Sequence, residues 1–102
     1  MSTERVSAPG APAFDLDGAW RLHPQASVRP ESFGALLYHF GTRRLSFLKS
    51  PTLLAVVKVL DDHPTARAAC RAAGVSDAEL PSYRRALESL AVATMICERT
   101  TG

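Results

Sequence analysis

Two apolar runs separated by a short polar turn occupy residues 33–49 (FGALLYHFGTRRLSFLK), and this stretch constrains the fold more than any other. Apolar runs on both sides of a glycine-containing turn predict a β-hairpin. Ser50 and Pro51 follow directly, and a serine cap before a proline at the first helical position is a strong helix start. The chain is therefore expected to contain a hairpin that leads straight into a helix.

The first strand of this hairpin, residues 33–40, is largely apolar on both faces. Such a strand is expected at the centre of a sheet, covered on at least one side. Residues 41–43 form the predicted turn, in which Gly41 is free to take a positive φ.

The second strand, residues 44–49, is short and half apolar. Leu45 and Phe47 share one face, whereas Ser46 and Leu48 share the other. The alternation leaves open whether Leu45 with Phe47, or instead Leu48, enters the core. If this strand lies at the edge of a small sheet, its free backbone N–H and C=O groups can accept an extended peptide as one more strand.

Three basic residues flank the second strand, namely Arg43, Arg44 and Lys49. Beside apolar positions, these charges favour an acidic peptide at that edge. Basic side chains also keep an exposed edge soluble, which is a simpler reason for Arg43 and Arg44. The sequence alone leaves both interpretations open.

The segment before the hairpin, residues 20–31, alternates weakly and contains Pro24 and Pro30. Because a proline removes one ladder donor, this segment is expected to form an outer or irregular strand, bent at Pro24. It is the first strand of a predicted three-stranded antiparallel sheet.

Three helices are predicted after the hairpin. The first covers residues 51–62, and the second covers residues 65–73 and ends at Gly74 with a left-handed cap. One tight turn at residues 76–80 precedes a third helix over residues 81–94, because a proline arrives too early for a regular helix to continue. The predicted fold class is therefore α+β.

A chain of 102 residues has room for one small domain. Residues 1–18 have neither a strand nor a helix period and are expected to be a disordered arm, in which Phe14 and Leu16 are either untethered, the simpler interpretation, or docked on the domain. The domain is expected over residues 19–96, followed by a flexible tail at 97–102.

Charge and hydropathy indicate a soluble protein. The formal net charge is +2, which is small for a dedicated nucleic-acid binder. Without a signal-peptide pattern or a membrane-length apolar run, the expected location is cytoplasmic. Cys70 and Cys97 fit that setting as reduced thiols, with Cys70 buried on a helix and Cys97 in the tail.

No residue pattern points to catalysis or to a bound cofactor. His23, His39 and His63 lie in different predicted elements without a second ligand nearby, so no zinc pattern exists. Nucleotide-binding loops and a nucleophile elbow are also missing from the sequence. The acidic residues before His63 suit a solvated helix end, and we expect a protein that is not an enzyme and holds no metal.

A DNA-binding regulator is the alternative that the predicted elements raise. Three strands and three helices also suit a winged helix-turn-helix, with Arg84 and Arg85 of the third helix meeting phosphates. The low net charge and the scarcity of base-reading side chains on that helix weigh against this alternative.

Residues 29–57 and 61–91 resemble a known family, the peptide chaperones of mycofactocin biosynthesis, which are RiPP recognition elements of the PqqD-like type. The resemblance covers about residues 20–96, and the run YHFGTRRLSFLKSP carries it most specifically. It implies a non-catalytic, winged-helix-like protein, monomeric or weakly dimeric, that binds the leader of a precursor peptide. The partner it implies is a radical S-adenosylmethionine maturase, which carries the iron–sulfur clusters and the chemistry.

The resemblance also implies where the leader binds. In that family the leader adds to the third strand of the sheet, which here is the second strand of the hairpin. It lies in a groove between this strand and the third helix. Tyr83 of that helix suits the core as well as the groove. The matching positions here are Arg43, Arg44, Leu45, Ser46, Phe47, Leu48, Lys49, Tyr83, Arg84, Leu87, Glu88 and Ala91.

Overall fold

The computed structural model describes residues 14–99, which form a mixed α+β domain with two antiparallel sheets and three α-helices. A short 3-10 turn extends the first helix. The elements are β1 (Trp20–Leu22), β2 (Ala26–Glu31), β3 (Gly34–His39), β4 (Leu45–Leu48), α1 (Pro51–Val59), the 3-10 turn (Leu60–Asp62), α2 (Ala66–Ala72), α3 (Leu80–Val92) and β5 (Ile96–Glu98).

The larger sheet has the strand order β2–β3–β4, so the hairpin prediction is confirmed and β3 is the central strand. Ala35 and Leu37 of β3 are fully buried, as expected for a strand covered by helices. Leu48 faces this core and is 1% exposed, which decides between the two alternatives that the alternation of β4 left open.

The segment predicted as one bent strand is in fact two strands in different sheets. Pro24 lies in a turn that is closed by the amide of Ala26, which donates to the carbonyl of His23. β2 then pairs with β3, whereas β1 pairs with β5 at the far end of the chain. The break at Pro24 was predicted correctly, but the change of partner was not.

The hairpin turn does not use the conformational freedom of Gly41, because Arg43 takes the positive φ, at 64°. A Cβ at position 41 would lie 2.5 Å from Oε1 of Gln25 and 3.0 Å from Cε1 of His39, so both side chains would have to shift. The small residue therefore makes room for an imidazole ring.

The helices follow the predicted signals closely. The hydroxyl of Ser50 accepts from the amide of Leu53 at the start of α1, and the hydroxyl of Thr65 accepts from that of Ala68 at the start of α2. Gly74 has a φ of 94° after α2, as predicted. No helix of residues 14–99 is long and apolar enough to cross a membrane.

The core lies between the β2–β3–β4 sheet and the helices. Its largest members are at most 1% exposed. They come from the sheet, from the helices and from the segment that follows α3. They include Leu37, Leu48, Val56, Val57, Leu60, Leu87, Met95 and Ile96.

Both predicted disordered ends are wrong where the structure describes them. Phe14 is 4% exposed and stacks on Trp20 with a centroid distance of 4.3 Å, and Leu16 is also buried. At the other end, the guanidinium of Arg99 donates to the carbonyl oxygens of Asp61 and His63. Residues 14–18 and 97–99 thus belong to the domain, while the expectations for residues 1–13 and 100–102 lie outside the described residues.

Candidate functional site

Strand β4 forms one edge of the larger sheet, and its hydrogen-bond register shows which backbone groups are free. The amide of His39 donates to the carbonyl of Arg44, so the carbonyl of Arg44 points toward β3. Bonded and non-bonded pairs alternate in an antiparallel ladder, and the next bonded residue of β4 is Ser46. The N–H and C=O groups of Leu45 and Phe47 therefore point away from β3, toward the open edge.

The opposite edge of the same sheet is less open. Phe40 donates its amide to the carbonyl of Gln25, and alternation from this pair turns the backbone of Pro30 outward. Because proline has no N–H, the outer side of β2 lacks a donor at this position. Between the two edges, β4 is the better acceptor for another strand.

A groove of about 320 Å³ runs beside β4, between this strand and α3. Its wall on α3 carries two small side chains, Ala86 and Ser89, together with Leu90. The hydroxyl of Ser89 donates back to the carbonyl of Arg85 in the same helix, which leaves a low, mostly apolar wall. The groove is lined by Leu45, Ser46, Phe47, Leu48, Leu53, Ala86, Ser89 and Leu90.

The structure brings none of the predicted α3 residues into the lining of this groove. Leu87 is completely buried in the core, and Arg84 lines a different cavity with Leu16 and Pro81. Arg84 also forms an ion pair with Glu88, one turn further along α3, at 3.9 Å. The α3 positions named by resemblance, Tyr83, Arg84, Leu87, Glu88 and Ala91, are absent from the groove lining.

Two of the three groove residues of α3, Ala86 and Ser89, were missed by sequence reasoning, which placed Leu90 on a stripe facing the sheet or a groove beside it. Ala86, Ser89 and Leu90 have the i, i+3, i+4 spacing of one helix face, so a signal was present. The signal was weak, because Ala86 and Ser89 are small and the larger residues of the neighbouring stripe were assigned to the groove instead. The small side chains of Ala86 and Ser89 leave the space beside β4.

Three cations border the free edge. Arg43, Arg44 and Lys49 are all exposed, as expected for residues around the hairpin. Among residues 14–99, no carboxylate forms a salt bridge with any of them. The edge therefore presents positive charge that an acidic peptide can meet.

The face of the sheet turned away from the helices is strongly apolar, in line with the prediction that the first hairpin strand is apolar on both faces. Phe47 is 62% exposed, Phe40 58%, Leu45 53% and Phe33 43%. Phe33 and Phe47 lie 6.1 Å apart between centroids, and with Lys49 they bound an open cavity of about 310 Å³. This face adjoins the free edge directly.

The hairpin turn beside the site is held by a buried histidine. His39 is 2% exposed, and its Nδ1 accepts from the amides of both Gly41 and Thr42 at 3.0 Å. The ring of His23 lies against it, with a centroid distance of 4.4 Å. Burial, followed by the charges of His39 and Arg21, lowers the pKa of His23.

The described residues offer no cluster for a metal ion. No group of three or more His, Cys, Asp or Glu side chains converges anywhere in residues 14–99. Cys70 and Cys97 are free thiols, and burial raises the pKa of Cys70. Cys70 is buried on α2 as predicted, whereas Cys97 lies in β5 rather than in a tail.

These features define a class of protein, a small α+β domain with a free sheet edge beside a shallow apolar groove, suited to the addition of a peptide strand. Comparison with known proteins gives the family. The model of the peptide chaperone MftB family matches residues 19–97, and the chain belongs to this family.

Curated relatives agree with this placement. The Peptide chaperone MftB of Mycobacterium ulcerans (strain Agy99) is 63% identical over 88% of this chain and 83% of the relative. Its namesake in Mycobacterium tuberculosis (strain ATCC 25618 / H37Rv) is 60% identical over 86% of this chain and 81% of the relative. No solved structure matches the chain significantly.

Proposed function

We propose that this protein is a non-catalytic peptide chaperone that binds the leader of the mycofactocin precursor peptide and presents it to a radical S-adenosylmethionine maturase. The relatives' name, peptide chaperone, supports the first part. We further propose that the sheet and helices form a winged-helix-like RiPP recognition element of the PqqD type. In this role the protein supplies an ordered binding surface, and the chemistry belongs to the maturase.

The observation that carries this proposal is the register of β4. Leu45 and Phe47 present two N–H donors and two C=O acceptors on the outer side of an edge strand. An extended peptide can pair with all four groups without any change in the sheet, because the spacing is that of an antiparallel or parallel ladder. The sequence-specific part of recognition then falls to side chains.

Side chains of the bound strand alternate between two environments. Those turned toward the helices enter the groove walled by Ala86, Ser89 and Leu90, where apolar side chains of moderate size fit. Those turned the other way lie beside Leu45 and Phe47. Residues of the leader beyond the ladder meet Arg43, Arg44 and Lys49, which favours acidic positions there.

The binding residues that we propose are thus those of the strand and its flanks, residues 43–49, with a revised helix contribution. Ala86, Ser89 and Leu90 take the part assigned by resemblance to Tyr83 and Leu87. Leu48 contributes through the floor of the groove, since its side chain is buried.

A proline scan with a matched control tests this mechanism. Phe47→Pro removes an outward N–H donor, whereas Phe47→Ala keeps the donor and removes the same ring. We expect the proline variant to bind a synthetic leader peptide at least about tenfold more weakly than the alanine variant in calorimetric titration. Ser46→Pro removes an N–H that bonds to β3, so its effect should appear in circular dichroism as a loss of folding. Equal leader affinity of folded Phe47→Pro and Phe47→Ala would contradict strand addition at this edge.

A further inference from the structure

Most of the apolar face of the sheet lies outside the groove, whose lining shares only Leu45 and Phe47 with it. We define the outer sheet face as Phe33, Leu36, Tyr38, Phe40, Leu45 and Phe47. The register places Leu36, Tyr38, Leu45 and Phe47 on the side of the sheet away from the core, and the rings of Phe33 and Phe40 pack against Phe47 and Tyr38 there. Four of these six residues are more than two-fifths exposed. A contiguous apolar surface of this kind on a small protein marks a site for a partner.

The aromatic residues on this face are ordered with respect to one another. Tyr38 and Phe40 pack edge to face, with centroids 5.3 Å apart, and Phe33 and Phe47 lie 6.1 Å apart. Aromatic side chains lose little conformational entropy when they are buried at an interface and dominate its energetics. The outer sheet face is therefore already arranged for docking.

This face is continuous with the peptide-binding edge through two residues. The backbones of Leu45 and Phe47 point to the edge, while their side chains belong to the outer sheet face. A strand added beside β4 extends the sheet, and every second side chain of that strand emerges on the same face. Binding of a peptide therefore enlarges the outer sheet face by one strand.

We propose that the outer sheet face and the outward side chains of the bound leader together form the surface on which the maturase docks. This inference rests on the proposed function, because it takes the leader as the added strand. The maturase then reads a composite surface that exists in full only on the loaded chaperone.

The rim of the face defines the chemistry of the matching surface. Four basic residues border it, Arg29, Arg43, Arg44 and Lys49. Of these four, only Arg29 has a salt bridge within the described residues, to Glu31 at 3.0 Å. An apolar centre with a cationic rim is complementary to an apolar patch bordered by carboxylates. The docking surface of the maturase should have that composition.

Charge and composition disfavour the other occupants. Two copies of this chain meeting through the outer sheet face would bring two cationic rims together, and such like-charge contacts oppose association. Residues 1–13, MSTERVSAPGAPA, contain one branched aliphatic residue, Val6, and little else to match an aromatic surface. Both arguments favour a separate protein as the partner that covers the outer sheet face.

Coupling between the two partners follows from the shared surface. If the leader completes the docking face, it must raise the affinity of the chaperone for the maturase, and the maturase must raise the affinity for the leader by the same factor. A chaperone that only tethers the leader, without a shared surface, shows no such coupling.

The test uses two exposed positions that lie outside the groove. Phe40→Glu places a charge in the outer sheet face, and Val92→Glu places the same charge at a 75% exposed position of α3 as the control. For each variant, the dissociation constant of a synthetic leader peptide and that of purified maturase for the loaded and unloaded chaperone are measured. We expect leader affinity to change by less than about twofold in both, and maturase affinity to fall at least about tenfold for Phe40→Glu alone.

The outcomes separate this inference from the proposed function. Failure of the wild-type protein to bind the leader overturns the proposed function. Normal leader binding combined with equal maturase affinity of Phe40→Glu and Val92→Glu, or with no gain from the leader, overturns the composite surface alone. A wild-type dimer that Phe40→Glu dissociates, or a rise in maturase affinity on deletion of residues 1–13, would assign the face to a second copy or to the N-terminal segment instead.

Discussion

His39 holds the turn between the two hairpin strands from the inside. Its Nδ1 accepts two backbone N–H groups, and Gly41 leaves the space that the ring occupies. One buried side chain thereby fixes the turn that aligns β4 on β3 and sets which groups of β4 face outward. The spacing of the histidines argued against a metal-binding role for His39, but no sequence pattern indicates a hydrogen-bonding role that depends on the fold of the turn.

A pH dependence of stability is expected from the neighbouring His23. Burial, His39 and Arg21 lower its pKa below the ordinary value of 6.5, so the unfolded chain binds a proton more readily than the folded one. The free energy of unfolding must then fall as the pH drops through about 6.5 and below, while the full contribution is present above that value. Urea unfolding at about pH 7.5 and about pH 5.5 measures the difference.

The control for this prediction is the third described histidine. His23→Gln should reduce the loss of stability at the lower pH, whereas His63→Gln should leave it as in the wild type. An unchanged pH dependence in His23→Gln would show that the neighbouring ring, or another group, carries the effect.

Two glycines with positive φ differ in what surrounds them. At Gly34, with φ at 146°, an added Cβ would overlap the carbonyl oxygen of Leu48, whereas at Gly74 it meets nothing within 4 Å. Gly34→Ala should therefore destabilise the protein by about 3 kcal/mol or more, because backbone of β4 must move. Gly74→Ala should cost about 1 kcal/mol, from the backbone conformation alone. Denaturant midpoints of the two variants should differ clearly, and similar midpoints would mean that the sheet yields easily at Gly34.

Elements that depend on local signals were predicted well from the sequence. Ser50 with Pro51, Thr65 and Gly74 mark helix ends through backbone hydrogen bonds or φ preferences within a few residues. The hairpin was equally visible, since its two strands are neighbours in the chain. Such signals require no knowledge of the rest of the fold.

Elements that depend on distant partners were not predictable in the same way. β1 pairs with β5, and the two strands lie more than seventy residues apart in the chain. Nothing in the sequence of residues 20–31 indicates that residues 20–22 pair outside the larger sheet. Likewise, β5 has only three residues, too few for a pattern of its own.

The candidate site combines both situations. The edge position of β4 follows from the order of the hairpin, and it was predicted. The orientation of α3 about its own axis was not predicted. Leu87 and Leu90 fit a core-facing stripe, and the residues on either side of that stripe could have faced β4. Only the packing shows that Ala86 and Ser89 turn toward β4, whereas Arg84 turns toward Arg67 and Asp77.

Residues 14–17, where the described part of the chain begins, pack against β1 and α2. Phe14 stacks on Trp20, and the amide of Arg67 in α2 donates to the carbonyl of Leu16. Arg67 also forms a salt bridge with Asp17 at 2.9 Å, and this pair is exposed. Residues 14–18 of the predicted arm are thus attached to the core, because two apolar side chains suffice to anchor a short segment.

Removal of one of these side chains should therefore cost stability. Phe14→Ala is expected to lower the free energy of unfolding by about 3 kcal/mol, as for other buried aromatic residues. Deletion of residues 1–13 keeps Phe14 and serves as the matched comparison. Denaturant unfolding of both proteins decides the question, and a Phe14→Ala variant as stable as the wild type would return this segment to the disordered arm.

At the scale of the whole molecule, the helices cover one face of the larger sheet, and β4 leaves one edge of that sheet open. The central claim is that the leader adds to this edge at the outward groups of Leu45 and Phe47. Amide hydrogen exchange by NMR, with and without a synthetic leader peptide, tests it residue by residue. We expect exchange of the Leu45 and Phe47 amides to slow at least about tenfold in the complex, while Ser46 and Leu48, already paired with β3, change little. Protection that appears along β2 or α3 and leaves Leu45 and Phe47 unchanged would contradict the account.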